Sequence, residues 1–106
     1  MTGEKKKAQA RLTEWKSKEK SSPWPWVVSA RFQFEEKNFK KCISLAEVAL
    51  IKAPQCGEAY YWKGRGLEFI KKPLEAANEY RAAVTAPQKF YDAQKELDRI
   101  LLTLGQ

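Results

Sequence analysis

Apolar positions along most of this chain recur at steps of three and four, the period of a helix with one buried face. Phe39, Cys42, Ile43, Ala46, Ala49 and Leu50 trace one such stripe, and Leu74, Ala77, Tyr80 and Val84 trace another. A third runs through Phe90, Ala93, Leu97, Ile100, Leu101 and Leu104. Lys37-Asn38, Pro54 and Pro87 fall between the stripes, where a helix has to turn or stop. The expected helices span about 25–36, 39–52, 56–70, 73–85 and 88–103. Residues 4–20 add a lysine-rich run of good helix formers, with Ala8, Leu12 and Trp15 at helical spacing. Ser21-Ser22-Pro23-Trp24-Pro25 separates that run from the rest, since each proline biases its predecessor away from helix. Val27-Val28 is too short for a strand, so the chain reads as all-α with five or six helices.

The stripes also repeat each other. Trp26, Ala30, Phe39, Cys42, Ala46 and Ala49 recur 34 residues later as Tyr60, Gly64, Pro73, Ala76, Tyr80 and Ala83. Pro54 closes the first unit and Pro87 the second, one residue early. Closely crossing helices need a small residue on one to admit the bulk of the other. Ala30 and Gly64 supply that gap in the first helices, and Cys42, Ala46, Ala49, Ala76 and Ala83 supply it in the second. Gly64 costs a helix interior about 1 kcal/mol relative to alanine, which points to close contact there. Trp26 and Tyr60 are expected to fill the space between units, at about 2–3 kcal/mol each when enclosed.

With these aromatic and small residues at this period, residues 24–87 resemble the tetratricopeptide repeat family. Ser29, Lys63 and Gln33 depart from its usual leucine and aromatic residues. The resemblance implies antiparallel helix pairs stacked as a short solenoid. The units would lie at about 23–54 and 57–87, with a C-terminal capping helix at about 88–104. It also implies a concave groove lined by the first helix of each unit: Trp24, Val27, Arg31 and Phe34, then Tyr61, Arg65, Glu68 and Phe69. Arg31 and Arg65 are equivalent across the repeat. Their planar forks suit carboxylates, so an acidic or C-terminal peptide is one expected ligand. Pairing with Glu35, Glu68 and neighbouring acids on a solvated face is the other expectation. The lysine and asparagine set of chaperone-binding repeats is not evident.

Residues 7–17, with their Arg-Leu-Thr-Glu-Trp-Lys core, are similar to a segment upstream of the C-terminal domain of the cytoskeleton-associated protein 2 family. Tyr60-Tyr61-Trp62, Leu67-Glu68, Pro73-Leu74-Glu75, Glu79 through Val84 and Arg99-Ile100-Leu101 follow that domain in order and spacing. Residues 20–40 do not match it. This resemblance implies a mitotic, microtubule-linked helical module.

Composition narrows the chemistry. The 106 residues suffice for one small domain and one modest core. Histidine is absent, which removes the commonest general base and, with only Cys42 and Cys56, any standard structural zinc site. The thiols read as one structural and one incidental, without a redox role. Lys63-Gly64-Arg65-Gly66 lacks P-loop spacing and a preceding strand. Glu35/Glu36 and Glu96/Asp98 are neighbouring acids on polar faces with no apparent cleft. The expectation is no enzyme, cofactor or metal.

The formal charge of +7 is concentrated at the start. Lys5, Lys6, Lys7, Arg11, Lys16, Lys18 and Lys20 face only Glu4, Glu14 and Glu19 within residues 1–22, a net +4. Such a segment favours acidic partners, whether another protein, tubulin or nucleic acid, and composition does not choose among them. No signal-peptide pattern or membrane-length apolar run is present. The expected setting is the cytoplasm, with cytoskeleton or nucleus as further options, as a whole protein or a fragment. The expected function is a protein-interaction scaffold or adaptor, and exposed apolar ends of a short array make a homodimer credible.

Overall fold

In the computed structural model, which describes residues 3–105, six helices follow one another. They are α1 (Gly3–Lys18), α2 (Trp24–Glu35), α3 (Phe39–Lys52), α4 (Gly57–Phe69), α5 (Pro73–Thr85) and α6 (Asp92–Thr103). Each helix packs against its successor, and α2 also meets α4. No strand forms among the described residues. Of the basic segment at 1–22, residues 1 and 2 lie outside that range.

Proline sets two of the helix starts. Pro25 and Pro73 sit in the first turns of α2 and α5, where a missing N–H costs no intrahelical bond. At the head of α2, the Trp24 N–H donates to Ser22 Oγ at 3.2 Å. The turns inside the two helix pairs are equivalent: Lys37 and Lys71 both adopt the left-handed region, with φ 64° and 66°.

The sixth helix starts at Asp92, later than the expected Gln88. Residues 86–91 are diverted to the preceding turn. The Gln88 N–H donates to the Gln55 carbonyl (3.0 Å), the Gly57 N–H to the Gln88 carbonyl (2.8 Å), and the Phe90 N–H to the Ala83 carbonyl (2.9 Å). An isolated parallel bridge, Cys56 to Gln88, results. Only glycine fits at 57, because a Cβ there would stand 2.4 Å from the Gln88 carbonyl oxygen and 2.7 Å from that of Ala83.

The repeated slots match in burial. Ala30, Cys42, Ala46 and Ala49 are fully buried in the α2–α3 pair, and so are Ala76, Tyr80 and Ala83 in α5. A Cβ on Gly64 would come within 2.7 Å of the Tyr80 ring, so the missing methyl makes room for the tyrosine. The α2–α3 pair meets α4 through Trp62. This side chain packs against both the Ala30–Cys42–Ala46 cluster and the Val27–Ala49–Ala53–Cys56–Ala59 cluster. Trp26 also packs on the second of these, while Tyr60 packs on the cluster of α4, α5 and α6 around Tyr80.

Candidate functional site

The first helices of the two pairs, α2 and α4, and the following α6 bring five of the expected groove residues together. Phe34 on α2 lies 5.1 Å from Phe69 and 5.6 Å from Trp62, ring to ring, and Phe39 lies 5.0 Å from Phe69. Tyr61 meets Trp62 edge-on at 5.0 Å and Phe90 at a tilt, 4.9 Å away. Arg65 is enclosed by this aromatic set, its guanidinium carbon 4.8 Å from the Phe34 centroid, 5.5 Å from Phe69 and 6.0 Å from Tyr61. A guanidinium over ring faces is held by their quadrupoles, and more strongly when water is excluded.

Charged partners complete the cluster. Arg65 Nη1 stands 3.4 Å from Glu96 Oε1, while its Nε is buried without a hydrogen-bond partner. The Tyr80 hydroxyl donates to Glu68 Oε1 at 2.7 Å, and Arg99 Nη2 donates to the same oxygen at 2.7 Å. Arg99 also donates to Glu96 through Nη2 (2.8 Å) and Nε (3.0 Å). Burial and the hydrogen bond to Glu68 push the Tyr80 hydroxyl pKa well up. Hydrogen bonds to Glu68 and then Glu96 raise that of Arg99 further above its ordinary range. Burial raises Tyr61 as well, with Arg65 opposing. Glu68 therefore ties α4 to α5 and α6.

The remaining expected residues are placed differently. Val27 turns into the core, 1% exposed, against Ala49 and Ala53. The neighbour that faces solvent is Val28, 40% exposed, in a row with Trp24 (43%), Arg31 and Glu35. Arg31 does not share the environment of Arg65. It is exposed, and its Nε stands 3.8 Å from Glu35. The row falls on one side of α2 because 24, 28, 31 and 35 are spaced by four, three and four. In α4 the same register is Glu58, Trp62, Arg65 and Phe69, of which the first three are at least half covered.

Glu96 and Asp98 do not pair as neighbouring acids: Glu96 takes the arginines, and Asp98 accepts from Gln94 at 2.9 Å. Glu35 and Glu36 also separate, toward Arg31 and Lys5 respectively. Sequence reasoning overlooked Trp62, Tyr80, Glu96 and Arg99 as parts of this cluster. For Glu96 and Arg99 the visible signal was their i,i+3 spacing on an amphipathic helix that follows the second unit.

The basic segment forms α1, which buries none of its residues. Lys5 bridges to Glu36 at 2.8 Å, Lys18 to Glu14 at 2.8 Å, and Lys16 lies 4.3 Å from the Trp26 centroid. The Lys20 carbonyl accepts from Lys52 Nζ at 2.6 Å. Lys6, Lys7 and Arg11 project into solvent. Both thiols are buried and free. Burial pushes Cys42 up to about 12, against the opposing charge of Arg65, and its Sγ donates to the Trp62 carbonyl at 3.4 Å. Burial raises Cys56 too, so neither is a ready thiolate nucleophile. Among the described residues, no three thiol or carboxylate side chains converge on a metal position, and no helix is long and apolar enough to cross a membrane. No protein-family model matches this chain, and no curated protein matches it.

Proposed function

We propose that this chain is a non-enzymatic protein-interaction module, a short tetratricopeptide-like array whose partner segment lies across α2 and the adjoining end of α4. Matched burial at slots 34 residues apart supports the array: Ala30 with Gly64, Cys42 with Ala76, and Ala49 with Ala83. The observation that carries the binding reading is the uncovered row on α2. Trp24 and Val28 expose apolar surface beside Arg31, in the register that α4 uses to seat Trp62 between helices. Phe69, 49% exposed and packed against Phe34, adds apolar surface where the last turns of α2 and α4 meet. Aromatic and arginine side chains are the usual anchors of protein interfaces. Arg65 and Glu68 act here as supports that hold the surface in shape.

The test is affinity capture from a cell lysate with the wild type and with Trp24→Ala/Arg31→Glu. Loss of a reproducible set of captured proteins is the expected result, with thermal unfolding unchanged. An identical captured set from both proteins overturns the reading.

A second reading rests on α1. Its outward Lys6, Lys7 and Arg11 suit an acidic surface such as tubulin, in line with the resemblance at residues 7–17, or nucleic acid. Microtubule pelleting with and without residues 1–22 separates this reading from the first.

A further inference from the structure

The turn between α2 and α3 has a composition that the fold does not require. Lys37 sits in the left-handed region at φ 64°, a conformation that glycine adopts freely and a Cβ-bearing residue only at a cost. The equivalent turn between α4 and α5 repeats the arrangement with Lys71 at φ 66°. Glycine or asparagine would relieve both positions, yet each holds a lysine.

Around Lys37 the surface dips into an open, shallow depression. The depression, of about 370 Å³, has Phe39 and Ile70 among its lining residues, with Lys37, Lys40 and Lys41 around them. None of these three lysines, nor Lys71, makes an ion pair among the described residues. By contrast, Lys63 bridges Glu47 and Glu79, and Lys72 stands 3.8 Å from Glu75. Unpaired positive charges around an apolar floor favour a partner carrying the opposite pattern.

From this we infer that the depression at the α2–α3 turn docks an acidic protein segment bearing one large apolar side chain. The apolar group seats on Phe39 and Ile70, and the flanking carboxylates meet Lys37, Lys40 and Lys41. Phe39 is packed against Phe34 at 5.5 Å and Phe69 at 5.0 Å, which fixes the ring that forms the floor. This site lies at the turn edge and goes beyond the reading that centres on α2.

The probe is a fluorescein-labelled peptide in which glutamates flank a single central leucine, titrated by anisotropy at physiological salt. Two variants with the same net charge are compared with the wild type: Lys37→Gln/Lys40→Gln/Lys41→Gln, and Lys6→Gln/Lys7→Gln/Arg11→Gln on α1. The turn variant is expected to bind about tenfold more weakly, and the α1 variant within about twofold of wild type. Replacing the peptide's leucine by alanine is expected to weaken wild-type binding several-fold. Equal loss in both variants overturns the inference, because attraction to net charge alone then explains binding. Indifference to the leucine, absence of any binding, or tighter binding of an RNA oligonucleotide or an anionic vesicle of matched charge also overturns it. Trp24→Ala/Arg31→Glu, which lowers the net charge by two, is expected to stay within the same roughly twofold margin as the α1 variant, so failure here and failure of the α2 reading are separable.

Discussion

Residue 46 is alanine and residue 80 is tyrosine, yet the two occupy one slot in successive helix pairs and both are fully buried. In the α2–α3 pair, small residues face each other, Ala30 and Ala46, and the nearby space is taken by Phe34, Leu45 and Trp62. In the α4–α5 pair, the volume is redistributed: Gly64 loses its methyl and Tyr80 fills the gap with a ring. The tyrosine then reaches past the core to Glu68, which also holds Arg99 on α6. The backbone plan is the same, but the second pair uses its slot to fasten a neighbour. In the first pair the following helix α4 is held instead by its own Trp62, packed on the Ala30–Cys42–Ala46 cluster.

The strongest way to break this comparison is to make the second pair like the first at that slot. Tyr80→Ala removes a fully buried ring and the hydroxyl that satisfies Glu68, and it is expected to destabilise the protein by about 3–5 kcal/mol in denaturant unfolding. A loss below about 1 kcal/mol would mean that the site collapses freely and that the ring fills no essential space.

A sharper version couples the two halves of the exchange. Gly64→Ala alone drives a methyl into the Tyr80 ring and is expected to cost about 1–3 kcal/mol. In the Tyr80→Ala background the clash is gone, and the same substitution should gain about 1 kcal/mol from helix propensity. The sign reversal is the signature of contact, and a double-mutant cycle from urea unfolding reads it. Additive effects would dissociate the two residues.

This exchange shows what a sequence of this kind discloses. The helical period and the turn residues located α3 and α5 at their observed bounds, because local propensity, proline placement and burial all agree there. The small-residue slots of the repeat are buried in both pairs, Ala46 and Tyr80 alike, whatever fills them. The repeat did not show which side of α2 is covered, because that depends on the adjacent helix. Val27 and Val28 are adjacent and chemically identical, and only packing against α3 decides which of them is buried. The start of α6 was hidden for a related reason. Gln88 and Phe90 have acceptable helix propensity, but their N–H groups are drawn to Gln55 and Ala83 across the fold.

The arginine pair separates the units next. Arg65→Met loses the contact with Glu96 and the stacking on Phe34 and Phe69, though it keeps much of the packing of the stem, and about 1–2 kcal/mol of destabilisation is expected. Arg31→Met at the equivalent position touches only an exposed i,i+4 contact with Glu35 and should stay within about 0.5 kcal/mol. Equal effects would show that the two units give this slot the same surroundings after all.

The smallest expected effect lies at the slot of Leu45 and Glu79. The leucine packs on the Ala30–Cys42–Ala46 cluster, whereas the glutamate is largely enclosed between Lys63 and other acids. Burial pushes the Glu79 carboxyl above its ordinary value near 4.5, with Lys63 opposing and Glu47 adding to the rise. A raised pKa in the folded state means that the native protein retains this proton when the unfolded chain has released it. Stability from this group therefore falls as pH climbs from about 4.5 through the raised value. Glu79→Gln mimics the protonated acid at every pH, and Lys63 keeps Glu47 at 3.5 Å. The variant should thus be slightly more stable than wild type at pH 7, with the gap closing as the pH approaches 4. Melting curves across that range distinguish this outcome from its reverse. A variant less stable at pH 7, converging with wild type in acid, would mean that attraction to Lys63 outweighs desolvation and that the second pair gains from the charge it holds there.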